Sequence, residues 1–183
     1  MEIKLMIQST PNPNALKFIL NIPVKTEGKV TYKSPGECAH NPMARDLFTV
    51  PNVMEVYFFD NYITVTQDGN VDWDVIEEQI KKIVLEHAES HDPNFVIEEI
   101  KKPVVVSDNP EITKINEILD RTIRPALQMD GGDLQVMSFD GQVVSVNYQG
   151  ACGSCPSSTM GTLKAIENIL RDELNKEVTV EAV

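Results

Sequence analysis

Two cysteines stand separated by two residues in the segment Gln149-Gly150-Ala151-Cys152-Gly153-Ser154-Cys155-Pro156-Ser157-Ser158-Thr159. No other feature of the chain narrows its fold as much. The residues before it, Gln142–Tyr148, alternate apolar and polar and predict a strand. Pro156 after it opens a predicted helix carrying Met160, Leu163, Ile166, Leu170 and Leu174. The thiol pair therefore falls on a strand-to-helix turn. Gly150, Ala151, Gly153 and Ser154 leave room around it, and the glycines free consecutive N–H groups to point at sulfur. Pro156 places Cys155 at or near the helix N-cap, where unpaired N–H groups and the positive dipole end favour thiolate. Thiolate is the form that binds metal or attacks disulfides.

The rest of the second half builds outward from that turn. Asp140-Gly141 joins Leu134–Phe139 to Gln142–Tyr148 as a hairpin. Asp130-Gly131-Gly132-Asp133 reads as a turn, its glycines supplying the positive φ of a helix exit. Upstream, an Asn109 cap and Pro110 start a helix with a stripe of Ile112, Ile115, Ile118, Leu119 and Ile123; Arg124-Pro125 bends or restarts it. Val178 and Val180 close the half as a last strand.

The first half reads as a separate unit. Ile3, Leu5 and Ile7 alternate as a strand, Thr10–Asn14 is a stiff loop with two prolines, and Ala15–Leu20 is a second strand. Asn41-Pro42 caps a short helix through Phe48. Val53–Phe59 and Tyr62–Gln67 form a hairpin about Asp60-Asn61. Asp72 caps a helix to about Ala88, its apolar positions Val75, Ile76, Ile80, Ile83, Val84 and His87 at helical spacing. The stretch 92–109 reads as a linker, although Val104-Val105-Val106 could pair as an edge strand. The expectation is an α/β (α+β) chain of two small domains, 1–91 and 110–183, each a short sheet packed against helices. No residue pattern matches between them, so no duplication is inferred.

Composition removes some functions. The 183 residues carry 16 Lys and Arg against 28 Asp and Glu, a net charge of −12, spread as −6 on Met1–Lys102 and −6 on Pro103–Val183. A nucleic-acid protein would present a basic patch to phosphate, and docking on an anionic membrane would need one too; neither partner is expected. No apolar run approaches the roughly 20 residues of a membrane helix. The start, Met1-Glu2-Ile3-Lys4, resembles neither a signal peptide nor an Arg- and Ser-rich transit peptide, so the chain is expected in the cytoplasm. Three cysteines, an odd number, do not make a secreted disulfide scaffold.

Three chemistries fit the pair. An iron–sulfur cluster needs four thiolates and the motif supplies two; one copy from each of two chains would complete the set across a two-fold axis. Such a cluster sits at a subunit edge and should be labile, which suits a carrier. A dithiol oxidoreductase also places CxxC between strand and helix. Against it, the order helix, hairpin, CxxC, helix, strand is not that of a βαβ unit. A zinc site shared between chains is the third, but His40, His87 and His91 all lie in the other half. Spacing alone leaves the first two nearly level, with zinc behind.

Asp130-Gly131-Gly132-Asp133, a hairpin, then Gly150-Ala151-Cys152-xx-Cys155-Pro156-Ser157-Ser158-Thr159 and Thr162-Leu163-Lys164 resembles the C-terminal domain of NifU, the Nfu-type iron–sulfur cluster scaffold, from roughly Glu111 to Val183. Thr10-Pro11-Asn12-Pro13-Asn14-Ala15-Leu16-Lys17-Phe18 resembles the opening of the Nfu N-terminal domain. The resemblance implies an α/β fold in each half and a 4Fe–4S cluster, one per homodimer, with Cys152 and Cys155 as its ligands. It further implies receipt from an upstream assembly scaffold and delivery to apo-proteins. No further cysteine cluster exists, so carriage after assembly is expected rather than construction.

The remaining residues have plainer roles. Cys38 reads as an inert buried thiol. His87 and His91 share i, i+4 spacing but lack a third ligand. Trp73 reads as packing. Ser157, Ser158 and Thr159 read as cap and first-turn residues; with no His near them in sequence no catalytic triad is visible, and no nucleotide fingerprint occurs. The chain is not expected to be an enzyme.

Overall fold

The computed structural model describes residues 2–96, 109–153, 156–174 and 177–183, with the backbone alone for 156–159. The chain divides into two compact units, Met1–Ile97 and Glu98–Val183. Most of the stretch read as a linker, Val104-Val105-Val106 included, lies outside the described residues. Both units are sheets packed with helices, the α+β class expected.

The first unit holds β1 (Leu5–Ser9), β2 (Ala15–Leu20), β3 (Lys25–Tyr32), α1 (Pro42–Leu47), β4 (Val53–Asp60), β5 (Tyr62–Gln67) and α2 (Trp73–Ala88), with a 3-10 turn over Pro35–Cys38. Its sheet is antiparallel throughout, ordered β1-β2-β5-β4-β3. Pro42 fixes the first helical φ of α1, and the Asn41 side chain accepts from the Ala44 N–H at 3.1 Å. One core forms from Phe18, Leu20, Val56, Phe58, Ile63 and Val65 of the sheet with Met43, Leu47, Ile76, Ile80 and Val84 of the helices. Each such fully buried side chain contributes about 1.5–3 kcal/mol.

Two sequence expectations need adjustment here. Strand β3 was not anticipated: Gly28 at φ 71° and a register shift between Lys25 and Lys29 break its alternation. Val75 is 62% exposed rather than on the buried stripe, which runs Ile76, Ile80, Val84 and Ala88.

The second unit holds α3 (Pro110–Thr122), α4 (Arg124–Met129), β6 (Gly132–Phe139), β7 (Val143–Gly150), α5 (Pro156–Leu174) and β8 (Thr179–Ala182). Asn109 Oδ1 accepts from the Glu111 N–H at 2.9 Å to start α3. Ile123 at φ −106° separates α3 from α4, as expected before Arg124-Pro125. Asp140 Oδ1 accepts from the N–H groups of Gln142 (2.9 Å) and Val143 (2.7 Å), which shapes the hairpin. Ile112, Ile115, Ile118, Leu119, Leu134, Val144, Val146, Ile166 and Leu170 make the core.

Three findings differ from expectation. Gly132 and Asp133 are not turn residues; they are the first two residues of β6. Met160 is 81% exposed and takes no part in the buried stripe of α5. The third bears on chemistry. β8 pairs with β7 in parallel, Val143 opposite Thr179, so β7, α5 and β8 form a βαβ unit with the cysteine motif at its strand-to-helix turn. A parallel return requires a crossover of this kind. The absence of a βαβ unit therefore does not count against a dithiol oxidoreductase.

Candidate metal centre

The end of β7 turns sharply. Gly150 has φ 63°, and the Gly153 N–H donates to the Gly150 carbonyl at 3.0 Å, closing a tight turn. A left-handed φ of this kind costs a residue with a Cβ about 1–2 kcal/mol. The Ala151 N–H donates at 3.2 Å to the carbonyl of Gly131, itself at φ 80°, tying the turn to the entrance of β6.

This geometry seats Cys152 against Gly132. A Cβ on Gly132 would stand 2.6 Å from Cys152 Sγ, 2.7 Å from the Gln149 carbonyl oxygen and 2.9 Å from the Cys152 nitrogen. No side chain fits there. The thiol is 4% exposed and belongs to the core of its unit. Cys155 lies outside the described residues, as do the side chains of Ser157, Ser158 and Thr159.

Tyr148 packs in the same core as the thiol, and Asp133 follows Gly132 in β6 on the other face of the sheet. Tyr148 is 7% exposed; burial, and secondarily the nearby Cys152 sulfur, push its phenol up to about 12. Asp133, 1% exposed, accepts from the Leu134 N–H at 2.7 Å and the Gln128 side-chain amide at 3.2 Å. Arg124 Nε lies 3.5 Å from it, an ion-pair contact longer than a hydrogen bond. Arg124 also donates to Asp120 and, at 2.7 Å, to Asn116. The Asp133 carboxyl is thus held by partners inside the fold. The sequence reading took Gly132 as a turn residue and gave neither it nor Tyr148 a place at the thiol. The hairpin alone did not reveal them, because the register that sets Gly132 opposite Gly150 and Leu134 opposite Tyr148 depends on a bulge between Val136 and Ser138.

The other singled-out residues lie apart. Cys38 is fully buried in the core of the first unit, its thiol donates to the Ser34 carbonyl at 3.4 Å, and burial pushes it up to about 11. His87 Nε2 pairs with Asp46 at 2.8 Å, whereas His91 Nε2 bonds the Val24 carbonyl at 2.8 Å; the two rings serve different partners. Among the described residues no group of three or more His, Cys, Asp or Glu could hold a metal ion. Trp73 Nε1 donates to the Pro13 carbonyl at 2.9 Å, which pins the proline-rich loop to the start of α2.

The chain thus joins two α+β units, the second of which holds a thiol cradled by glycine between a strand and a helix. Residues 5–91 match the family described as scaffold protein Nfu/NifU N terminal, and residues 115–181 match the NifU-like domain. The chain is 35% identical over 182 residues to the human NFU1 iron-sulfur cluster scaffold homolog, mitochondrial, an alignment covering 98% of this chain and 71% of that protein. It is 32% identical over 183 residues to NifU-like protein 4, mitochondrial, of Arabidopsis thaliana, covering 97% of this chain and 65% of the relative. The solution structure of a NifU-like protein from Saccharomyces cerevisiae aligns at TM-score 0.44 and 24% identity, over 54% of this chain and 87% of that one. The chain belongs to the Nfu/NifU family of iron–sulfur cluster scaffold proteins.

These relatives correct one expectation. The plant and human proteins are named as mitochondrial, which points away from the cytoplasm. The expectation rested on thiols suited to a reducing compartment and on the look of the first residues. Neither distinguishes one reducing compartment from another. No helix among the described residues is long and apolar enough to cross a membrane.

Proposed function

We propose that this chain carries a 4Fe–4S cluster between two copies of itself and hands it to apo-proteins. Cys152 and Cys155 of each copy would be the ligands. The observation that carries this reading is the Gly132–Cys152 cradle: a thiol held on a strand-to-helix turn, where only glycine permits the approach. The donor chemistry fits, since sulfur ligands and an adjacent buried hydroxyl suit iron and sulfide. Cys38 supplies no third ligand, buried as it is in the other unit. A four-thiolate set therefore calls for a second copy. The exposed Met160, five residues past Cys155, offers apolar surface for that contact.

Cys152 is 4% exposed, so the Gly150–Gly153 turn must yield before a second copy reaches its sulfur. Loading is then coupled to a local opening that leaves the rest of the unit folded. Delivery proceeds by ligand exchange: an acceptor thiolate forms an iron–sulfur bond as a cysteine thiolate of this chain leaves, with no change in electron count. The cluster is cargo, received from an upstream assembly scaffold, and the chain does no bond-making catalysis of its own.

Anaerobic reconstitution with iron and sulfide tests this. The expected result is a brown dimer holding about four irons and four acid-labile sulfides. Cys152→Ser and Cys155→Ser should each stay folded and colourless. The βαβ placement of the motif favours a second reading, a thiol–disulfide oxidoreductase. A colourless monomer that reduces disulfides through the same two thiols would establish it instead.

A further inference from the structure

Tyr148 carries a buried hydroxyl that the fold does not satisfy. Its oxygen is inaccessible to solvent and has no hydrogen-bond partner among the described residues. A phenylalanine would fill the same space without that penalty, because a buried donor left unpaired loses its bonds to water and gains none in return. Such an exception calls for an explanation, and use in another state of the protein is one.

The sheet register shows where the group stands. Tyr148 pairs with Leu134 and Gly150 pairs with Gly132 across β6 and β7. Directly opposed residues share a face, and so do residues two apart along a strand. Tyr148, Leu134, Gly132 and Gly150 therefore share one face of the sheet. That is the face on which Gly132 receives Cys152 Sγ at closest approach, and Tyr148 and Cys152 pack in the same core. The phenol is a lone donor beside a thiol that, as a neutral S–H, is only a weak acceptor.

We infer that Tyr148 is a positioning residue of the loaded site, its O–H donating to sulfur that becomes anionic when metal binds. A metal-bound thiolate or an inorganic sulfide accepts hydrogen bonds far better than a thiol, and a charge-assisted bond is roughly twice as strong as a neutral one. The bond holds ligand sulfur against loss and draws electron density from the cluster, which raises its reduction potential. The hydroxyl thus costs the empty protein stability and steadies the loaded one. This rests on the cluster-binding reading above and adds to it a residue outside the CxxC motif.

Tyr148→Phe in the full-length chain tests the assignment, compared with wild type in three measurements. The empty variant should melt no lower than wild type, since the orphaned hydroxyl has gone. Loaded with iron and sulfide, it should surrender iron to a chelator several-fold faster, and its cluster potential should move to more negative values. Loading with zinc alone identifies the acceptor. Faster zinc release in the variant points to the cysteine thiolate, whereas an effect confined to the iron–sulfide form points to inorganic sulfide. Equal release rates and an unshifted potential would overturn the inference, and a drop in the melting point of the empty variant alone would make Tyr148 merely structural. A wild-type chain that takes up neither iron nor zinc would defeat the proposed function itself, a result distinct from the failure of Tyr148.

Discussion

Cys152 Sγ stands 2.6 Å from the point where Gly132 would carry a Cβ. Substitution of Gly132 by alanine forces the sulfur, the Gln149 carbonyl and the Cys152 amide apart, and two of those three are backbone atoms that cannot rotate away. The expected cost is about 1–3 kcal/mol, as for other overpacked cores. Iron and sulfide uptake should fall with it, because the turn that presents the thiol is displaced. Gly161→Ala is the matched control. A Cβ there meets nothing within 4 Å, and alanine in a helix interior should stabilise by about 1 kcal/mol. Urea denaturation and iron content of both variants check the pair.

The buried carboxylate of Asp133 supports the same strand. Asp133→Ala removes the acceptor for the Leu134 N–H and the Gln128 amide and takes an ion-pair partner from Arg124. Arg124 keeps Asp120 and Asn116, so its charge is not abandoned. A loss of about 3 kcal/mol follows, the lower end for breaking a buried pair. Asp133→Asn, which retains an acceptor oxygen, should lose less. Far-ultraviolet circular dichroism during chemical denaturation measures both.

Acid weakens the first unit through His91. Its ring stacks on Phe58 at 5.8 Å and bonds the Val24 carbonyl, and burial holds its pKa below the ordinary value. In the window below about 6.5 the unfolded chain takes a proton that the folded ring resists. Stability is therefore complete above that pH and declines as pH falls toward the folded value. Asp46 acts in the same direction at lower pH, since the hydrogen bond from His87 holds its carboxyl below the usual carboxylate range. Trp73, the chain's one tryptophan and a residue of this unit, reports the transition. Its urea midpoint should drop between about pH 7.5 and 5.5 in wild type, and the drop should flatten in His91→Phe; an unchanged slope would contradict the assignment.

Cys38 should be dispensable for metal. Cys38→Ser keeps a donor near the Ser34 carbonyl but buries a hydroxyl in an apolar core, for a loss of about 1 kcal/mol. Cluster content should equal wild type. In the wild-type chain this thiol, raised to about 11 by burial, should resist alkylation at pH 8.

Much of the fold is legible in local chemistry. Pro42, Pro110 and Pro156 each begin a helix, two of them behind an asparagine whose side chain accepts a backbone N–H. Asp140-Gly141 makes the hairpin foreseen. Strand β3 is missed because Gly28 and a bulge hide its period, and Val75 and Met160 are misassigned because spacing alone does not say which side of a helix meets a sheet. The candidate site is legible as a motif only. Counting back from the pair Phe139–Val144 sets Gly132 opposite Ala151, and only the bulge between Val136 and Ser138 shifts it to Gly150. One residue of slip reverses every side chain in a strand.

The amino-acid order by itself determined where the helices begin, where most of the strands run, that two cysteines separated by two residues fall between a strand and a helix, and which family the chain resembles. Each rests on interactions within a few residues: caps, prolines, periodicity. The tertiary structure alone decided that β8 runs parallel to β7, that Cys152 is covered, that Gly132 is the atom-scale limit on its seat, and that the Tyr148 hydroxyl has no partner among the described residues. Those facts depend on strand register and on contact between segments distant in sequence, and no local pattern encodes either.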